Sequence, residues 1–230
     1  MPTITLSAAQ FAAGLRQVLA AQADPVRARQ MQAYMKQHFG FFGISTPLRR
    51  AAVKPMVAAL GKHVDGDWLL AVAETLWGFD ERECQYVAVD LLVTGAGRLE
   101  ARHEPRLAML IRQKSWWDSV DLLASRVYGT LCRNAPELRV RLDGYAGHEC
   151  LWLRRVAILY QLNYGADTDL DRLSATLVAN LGDEDFFIRK AMGWALRQFA
   201  RTDPKWVRNW ITAYAGQVSG LTRREALKHL

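Results

Sequence analysis

The stretch WLRRVA, residues 152–157, comes back 35 residues later as FIRKAM, residues 187–192. The same interval aligns PLRRAA at 47–52, RECQYV at 82–87, WDSVDL at 117–122 and TRREAL at 222–227. Their sixth column reads Ala52, Val87, Leu122, Ala157, Met192 and Leu227, all apolar. A period near 35 accommodates two helices and a turn, the unit of a solenoid in which each repeat buries its face against its neighbours. The signature of tetratricopeptide repeats is missing, so the expected architecture is an all-α, HEAT-like superhelix, one domain over residues 1–230.

Local signals point the same way. In ADPVRARQMQAYMKQHFG, residues 23–40, Asp24 can cap, Pro25 suits the first helical position and Gly40 stops the run. TDPKWVRNWI, residues 202–211, repeats that opening with Asp203 before Pro204. Strand-like alternation bounded by hairpin turns is nearly absent.

Half of the residues are hydrophobic, enough for a sizeable core at this length. Lysine and arginine exceed aspartate and glutamate by seven, which favours a polyanionic partner such as nucleic acid. Cys84, Cys132 and Cys150 lie far apart and outside any zinc or redox spacing, as in a reduced, cytosolic protein. No signal-like leader and no uncharged run of membrane-spanning length is visible, so neither export nor membrane spanning is expected.

The fifth column of the repeat isolates one residue. It runs Ala51, Tyr86, Asp121, Val156, Ala191 and Ala226, so Asp121 is its single charged member. The third and fourth columns place Arg49 and Arg50, Arg154 and Arg155, and Arg189 and Lys190, and the last block adds Arg223. With the helices stacked in parallel these form a basic ladder suited to the phosphates of a duplex. Ordinary solvated helix faces would give the same residues.

Asp121 belongs to KSWWDSVDLL, residues 114–123. Ser115 and Asp118 stand in the spacing of a capping box, which accounts for Asp118 as a helix start. Trp117 and Asp121, four apart, share a helical face and can present an indole and a carboxylate to one small volume. Trp194, in GWALRQFA at 193–200, can supply a second aromatic wall. A purely structural account makes Asp121 the salt-bridge partner of a neighbouring repeat's arginine such as Arg155, and makes all three tryptophans, Trp116 included, core. A functional account uses the aromatic faces to attract a cation, and the carboxylate to stabilise positive charge developing on a sugar or to orient water. A base alkylated on a ring nitrogen is already a cationic leaving group, so cleaving its glycosidic bond needs little more.

KSWWDSVD at 114–121, LWLRRVAILYQL at 151–162, FFIRKAMGWALRQFARTDPKWV at 186–207, YMKQHFGFFGISTPLRR at 34–50 and REALKHL at 224–230 together resemble the AlkD-type DNA alkylation repair enzymes. The resemblance implies a HEAT-like solenoid with a basic concave face holding duplex DNA. It also implies a glycosylase acting on cationic N3- and N7-alkylated purines, 3-methyladenine and 7-methylguanine, without flipping the nucleotide. By position, Trp117 and Trp194 match aromatic residues that contact the lesion's sugar backbone, and Asp121 matches the catalytic carboxylate. Arg155 matches a phosphate-holding residue, Tyr34 a DNA-contacting tyrosine, and Arg197 a further phosphate contact, beside Arg154 and Lys190 of the ladder.

The implied enzyme is monofunctional, works without metal or cofactor, acts as a monomer and resides in the bacterial cytosol, at the nucleoid when bound to DNA. Two departures stand out: Asn163 occupies a position where a basic phosphate contact is expected, and the sequence ends at KHL without a basic tail. The alternative to an enzyme is a non-catalytic HEAT-like module that binds DNA or a protein partner. A pure phosphate binder, however, gains nothing from an anion at Asp121.

Overall fold

The computed structural model describes residues 6–60 and 64–230. Among them there are fourteen α-helices and no strand, only a single bridge between Gly40 and Glu81. The chain divides into two compact units, Met1–Leu110 and Ile111–Leu230. The first contains α1 (Ala8–Ala20), α2 (Pro25–Tyr34), α3 (Thr46–Ala59), α4 (Gly66–Gly78) and α5 (Arg82–Thr94), and the division falls within α6 (Glu104–Arg112). The second contains α7 (Trp117–Leu122), α8 (Gly129–Asn134), α9 (Arg139–Tyr145), α10 (Leu151–Leu159), α11 (Leu170–Ala179), α12 (Phe186–Phe199), α13 (Pro204–Ala213) and α14 (Gly220–Ala226). A π-helical stretch, Leu123–Tyr128, joins α7 to α8.

Aspartates start the helices as their spacing requires. Asp24 accepts from the Val26 and Arg27 amides, and Asp203 from the Trp206 amide, each ahead of a proline in the first turn. Asp65, Asp169 and Asp185 do the same for α4, α11 and α12, each cap being worth roughly 1 kcal/mol. The stop of α2 differs from expectation. It ends at Tyr34 rather than near Gly40, because Lys36 (φ 53°) and Gln37 (φ 62°) adopt the left-handed conformation. The loop beyond is held from α5, where the Glu83 carboxylate accepts from the Phe42, Gly43 and Ile44 amides at 2.8–3.0 Å. Gly43 is obligatory in that loop: its φ is +90°, and a Cβ there would lie 2.2 Å from the Asp24 carbonyl oxygen.

The period read from the sequence reappears as the separation of contacting residues in the second unit. Tyr164 Oη donates to the Gly129 carbonyl 35 residues away, Asn180 Nδ2 to the Ala146 carbonyl 34 away, and Trp210 Nε1 to Ser174 Oγ 36 away. Successive repeats of the second unit thus meet at that interval, in the helical-repeat architecture expected. The core between them is apolar, with Leu131, Val156, Leu159, Ile188 and Leu196 excluded from solvent. Each such side chain contributes about 1.5–3 kcal/mol.

The sixth column is not buried throughout. Val87, Ala157 and Met192 are core, but Leu122 is 41% exposed. Around it Val120, Leu123 and Ala124 take the inward positions, and the π stretch beginning at Leu123 breaks the repeat's helical register.

Candidate active site

Helix α7 starts at Trp117 because the chain turns sharply just before it. Lys114 is left-handed (φ 48°) and Trp116 is the extended N-cap residue. The capping box expected of Ser115 and Asp118 is not formed. Ser115 Oγ instead donates to the Ile111 carbonyl at 2.5 Å, closing the end of α6, and Asp118 accepts from the adjacent Ser119 amide. The turn at Lys114 leaves Ser115 with the preceding helix. Trp116 packs as expected, against Trp152 and Phe187 with ring centroids 5.8 and 5.1 Å away.

Asp121, one turn after the half-buried Trp117, meets Arg155 of α10 in a bidentate pair. Arg155 Nε donates to Oδ1 at 2.6 Å and Nη2 to Oδ2 at 2.8 Å. The third guanidinium nitrogen donates to the Phe187 carbonyl in the first turn of α12, so one arginine ties α7, α10 and α12 together. Arg155 is 4% exposed, whereas the Asp121 side chain retains 14%. Burial pushes the Asp121 carboxyl above the ordinary carboxylate range, opposed by the Arg155 hydrogen bonds and assisted by neighbouring Asp118.

The remaining predicted residues fall in three places. Lys190, Trp194 and Arg197 follow at intervals of four and three along α12 and share one face. Trp194 is half-buried between two cations that converge on one acid, Glu225 of α14: Lys190 Nζ at 2.7 Å and Arg197 Nη1 at 2.5 Å. Those contacts, Lys190 first, hold the Glu225 carboxyl below its usual range. Arg154 pairs with Asp183 at 2.8 Å and donates to the His148 carbonyl. Tyr34, in the first unit, is 73% exposed at the end of α2.

The ladder is therefore not a row of bare cations. Arg49 and Arg50 both reach Asp90, Arg154 reaches Asp183, Arg155 reaches Asp121, and Lys190 reaches Glu225. The acids Asp90, Asp183 and Glu225 are not among the residues expected from the sequence. Their signal was available: each lies 29–41 residues beyond its cation, close to one repeat.

Such a site can hold one oriented carboxylate beside an indole and resist its protonation with a guanidinium. Among the described residues no group of three or more histidines, cysteines or acids could hold a metal ion, and no helix is long and apolar enough to cross a membrane. No curated protein matches the chain. Among solved structures it is similar to one described as a predicted DNA alkylation repair enzyme from Enterococcus faecalis, with 33% identity and a TM-score of 0.83 over 90% of this chain and 96% of that one. The family model described as DNA alkylation repair enzyme matches residues 15–230. With the fold, the match over nearly the whole chain and the structural relative in agreement, the protein belongs to the DNA alkylation repair enzyme family.

Proposed function

We propose that the protein is a monofunctional DNA glycosylase that releases cationic N3- and N7-alkylated purines, 3-methyladenine and 7-methylguanine, from duplex DNA without flipping the nucleotide. The observation that carries this reading is the Asp121 carboxylate. It is fixed by two hydrogen bonds from a buried arginine, belongs to a side chain that is not fully buried and has Trp117 one turn away. A pairing that served stability alone would be met equally well by apolar packing.

In the reaction the bond between sugar C1′ and the base nitrogen breaks with its electron pair going to the base, which leaves neutral. The sugar becomes an oxocarbenium-like cation facing Asp121, whose negative charge is already in place and needs no reorganisation. Water adds to C1′ and its proton passes to Asp121 or to solvent, giving free base and an abasic site. Trp117 and Trp194 offer indole faces to the cationic nucleotide. Arg155 acts through Asp121, keeping it ionised and in one orientation. Arg154, Lys190, Arg197 and Tyr34 serve the DNA backbone, the three cations through N–H groups left over from their acid partners.

Incubating the purified protein with duplex containing 7-methylguanine, and quantifying free base and abasic sites, tests the reading. Excision by wild type and its loss in Asp121→Asn are expected. No release above background, or full activity in that variant, would leave the non-catalytic DNA-binding module as the better account.

A further inference from the structure

Beyond Asp121 the chain does not continue as an ordinary α-helix. It widens into the π-helical stretch Leu123–Tyr128, and the Gly129 amide reaches back five residues to the Ala124 carbonyl. A widened turn of this kind is uncommon and persists where its surroundings hold it. Here side chains do so. Ser125 Oγ donates to the Asp121 carbonyl at 2.7 Å, Asn163 Nδ2 to the Ser125 carbonyl at 3.0 Å, and Tyr164 Oη to the Gly129 carbonyl at 2.8 Å. Gly129 permits the approach, since a Cβ there would lie 2.7 Å from the Tyr160 carbonyl oxygen. The clamping segment is itself anchored by Arg133, whose guanidinium lies 4.2 Å from the Tyr164 ring centroid, donates to the Asn163 and Tyr164 carbonyls and pairs with Asp167.

Asn163 is the residue that departs from the basic phosphate contact expected at its position. Its amide is turned to the backbone beneath Asp121 instead. Resting on the glycosylase reading above, we propose that Asn163 is a positioning residue for excision, holding the Ser125 carbonyl and so fixing the π-turn from which Asp121 is aimed at Arg155. The path is three contacts long: Asn163 to the Ser125 carbonyl, the Ser125 hydroxyl to the Asp121 carbonyl, and the Asp121 carboxylate to Arg155. No phosphate contact is needed to explain the asparagine. A lysine or arginine would not reproduce its short, directed amide.

The test uses Asn163→Ala and the near-isosteric Asn163→Leu, both lacking the donor. Single-turnover excision of 7-methylguanine is expected to slow by about 10- to 100-fold in each, the cost of a misplaced catalytic group. Affinity for undamaged duplex should stay within about twofold, with an unchanged salt slope. The charged groups acting on Asp121 are Arg155 and Asp118, so a carboxylate that drifts from Arg155 titrates higher and the acid limb of the rate profile moves up in pH. A loss of folded protein would instead lower the rate equally at every pH. Carbon-13 NMR of the Asp121 carboxyl reads the same titration without activity. If wild type excises nothing, the glycosylase reading falls while an upward shift in both variants still supports the positioning role. An unchanged Asp121 titration in both variants overturns the proposal, as does weakened duplex binding with a flatter salt slope at an undiminished rate.

Discussion

Asp121→Asn leaves a buried guanidinium facing a neutral amide. Arg155 is only 4% exposed, so the orphaned charge cannot turn to water. Removing one partner of a buried pair costs about 3–5 kcal/mol, and the amide oxygen can still accept one of the two bonds, placing the loss near about 3 kcal/mol. Against a total stability of about 5–15 kcal/mol the chain still folds. At about 2–4 °C per kcal/mol for a protein of this size, its melting midpoint falls by about 6–12 °C. Adding Arg155→Met removes the unpaired charge and should restore most of the loss. Circular dichroism melts of wild type, both single variants and the double variant complete the cycle. A midpoint lowered by less than about 2 °C in Asp121→Asn, or a double variant no more stable than that single one, would refute the claim that a buried ion pair holds the carboxylate. Excision measured well below the lowered midpoint separates chemistry from folding, with an expected loss of about 10²–10³-fold in Asp121→Asn.

Because burial raises Asp121 above the ordinary value of 3.8, its charged form is lost on acidification earlier than that of a solvated aspartate, so the acid limb of single-turnover excision lies above pH 3.8. A rate level down to that pH would contradict it. Glu225 behaves oppositely: its folded value is held below 4.5, so its contribution to stability is present above pH 4.5 and disappears as pH falls through the lowered value. Glu225→Gln should flatten that acid-side decline in a pH series of melts, and by releasing Lys190 and Arg197 it should tighten duplex binding and steepen its salt dependence. Gly193→Ala would place a Cβ 2.5 Å from Glu225 Cβ and 2.9 Å from the Thr222 carbonyl oxygen, and α14 cannot recede without losing its packing on α12. A loss of about 1–3 kcal/mol in a denaturant titration is expected.

The sequence carried the helix starts because capping is local: Asp24 and Asp203 each act within three residues of their own position. It carried the period because stacking repeats leave the same interval in pattern and in contact. What it could not carry is where a turn reverses the chain. A left-handed lysine at 114 gives no compositional signal, yet it decides that Ser115 closes α6 and caps nothing. Nor does a π-turn show in residue types, and it begins directly after Leu122, the column member that is exposed where Val87, Ala157 and Met192 are core. The odd carboxylate in the fifth column was legible for a different reason, since a charge in an apolar register is anomalous wherever the boundaries fall. Its partner was legible only as one of two options. Arg155 was a candidate for both phosphate and Asp121, and burial at 4% favours the second.

The direction of the ion pairs sets Asp121 apart more sharply than its column does. Arg49, Arg50, Arg154 and Lys190 all pair forward, with acids 29–41 residues later in the chain. Arg155 pairs backward, with an acid 34 residues earlier. Forward pairs join each basic helix to the structure that follows, and any of those acids sits beyond the helix that carries the cation. The backward pair places its acid in the fifth column, next to the third and fourth columns that carry most of the basic residues and where the other repeats present alanine, tyrosine or valine. An anion beside the ladder weakens phosphate binding and burial makes it costly, so pairing for stability alone gives no reason to put it there. The adjacent residues Arg154 and Arg155 do the two jobs side by side, one holding α10 to the segment ahead of α12 through Asp183, the other holding the carboxylate of α7. A conserved charge count with the acid moved to a forward position would keep every stacking contact and lose the site, which is why Asp121, and not the surrounding basicity, is the residue on which an enzymatic reading rests.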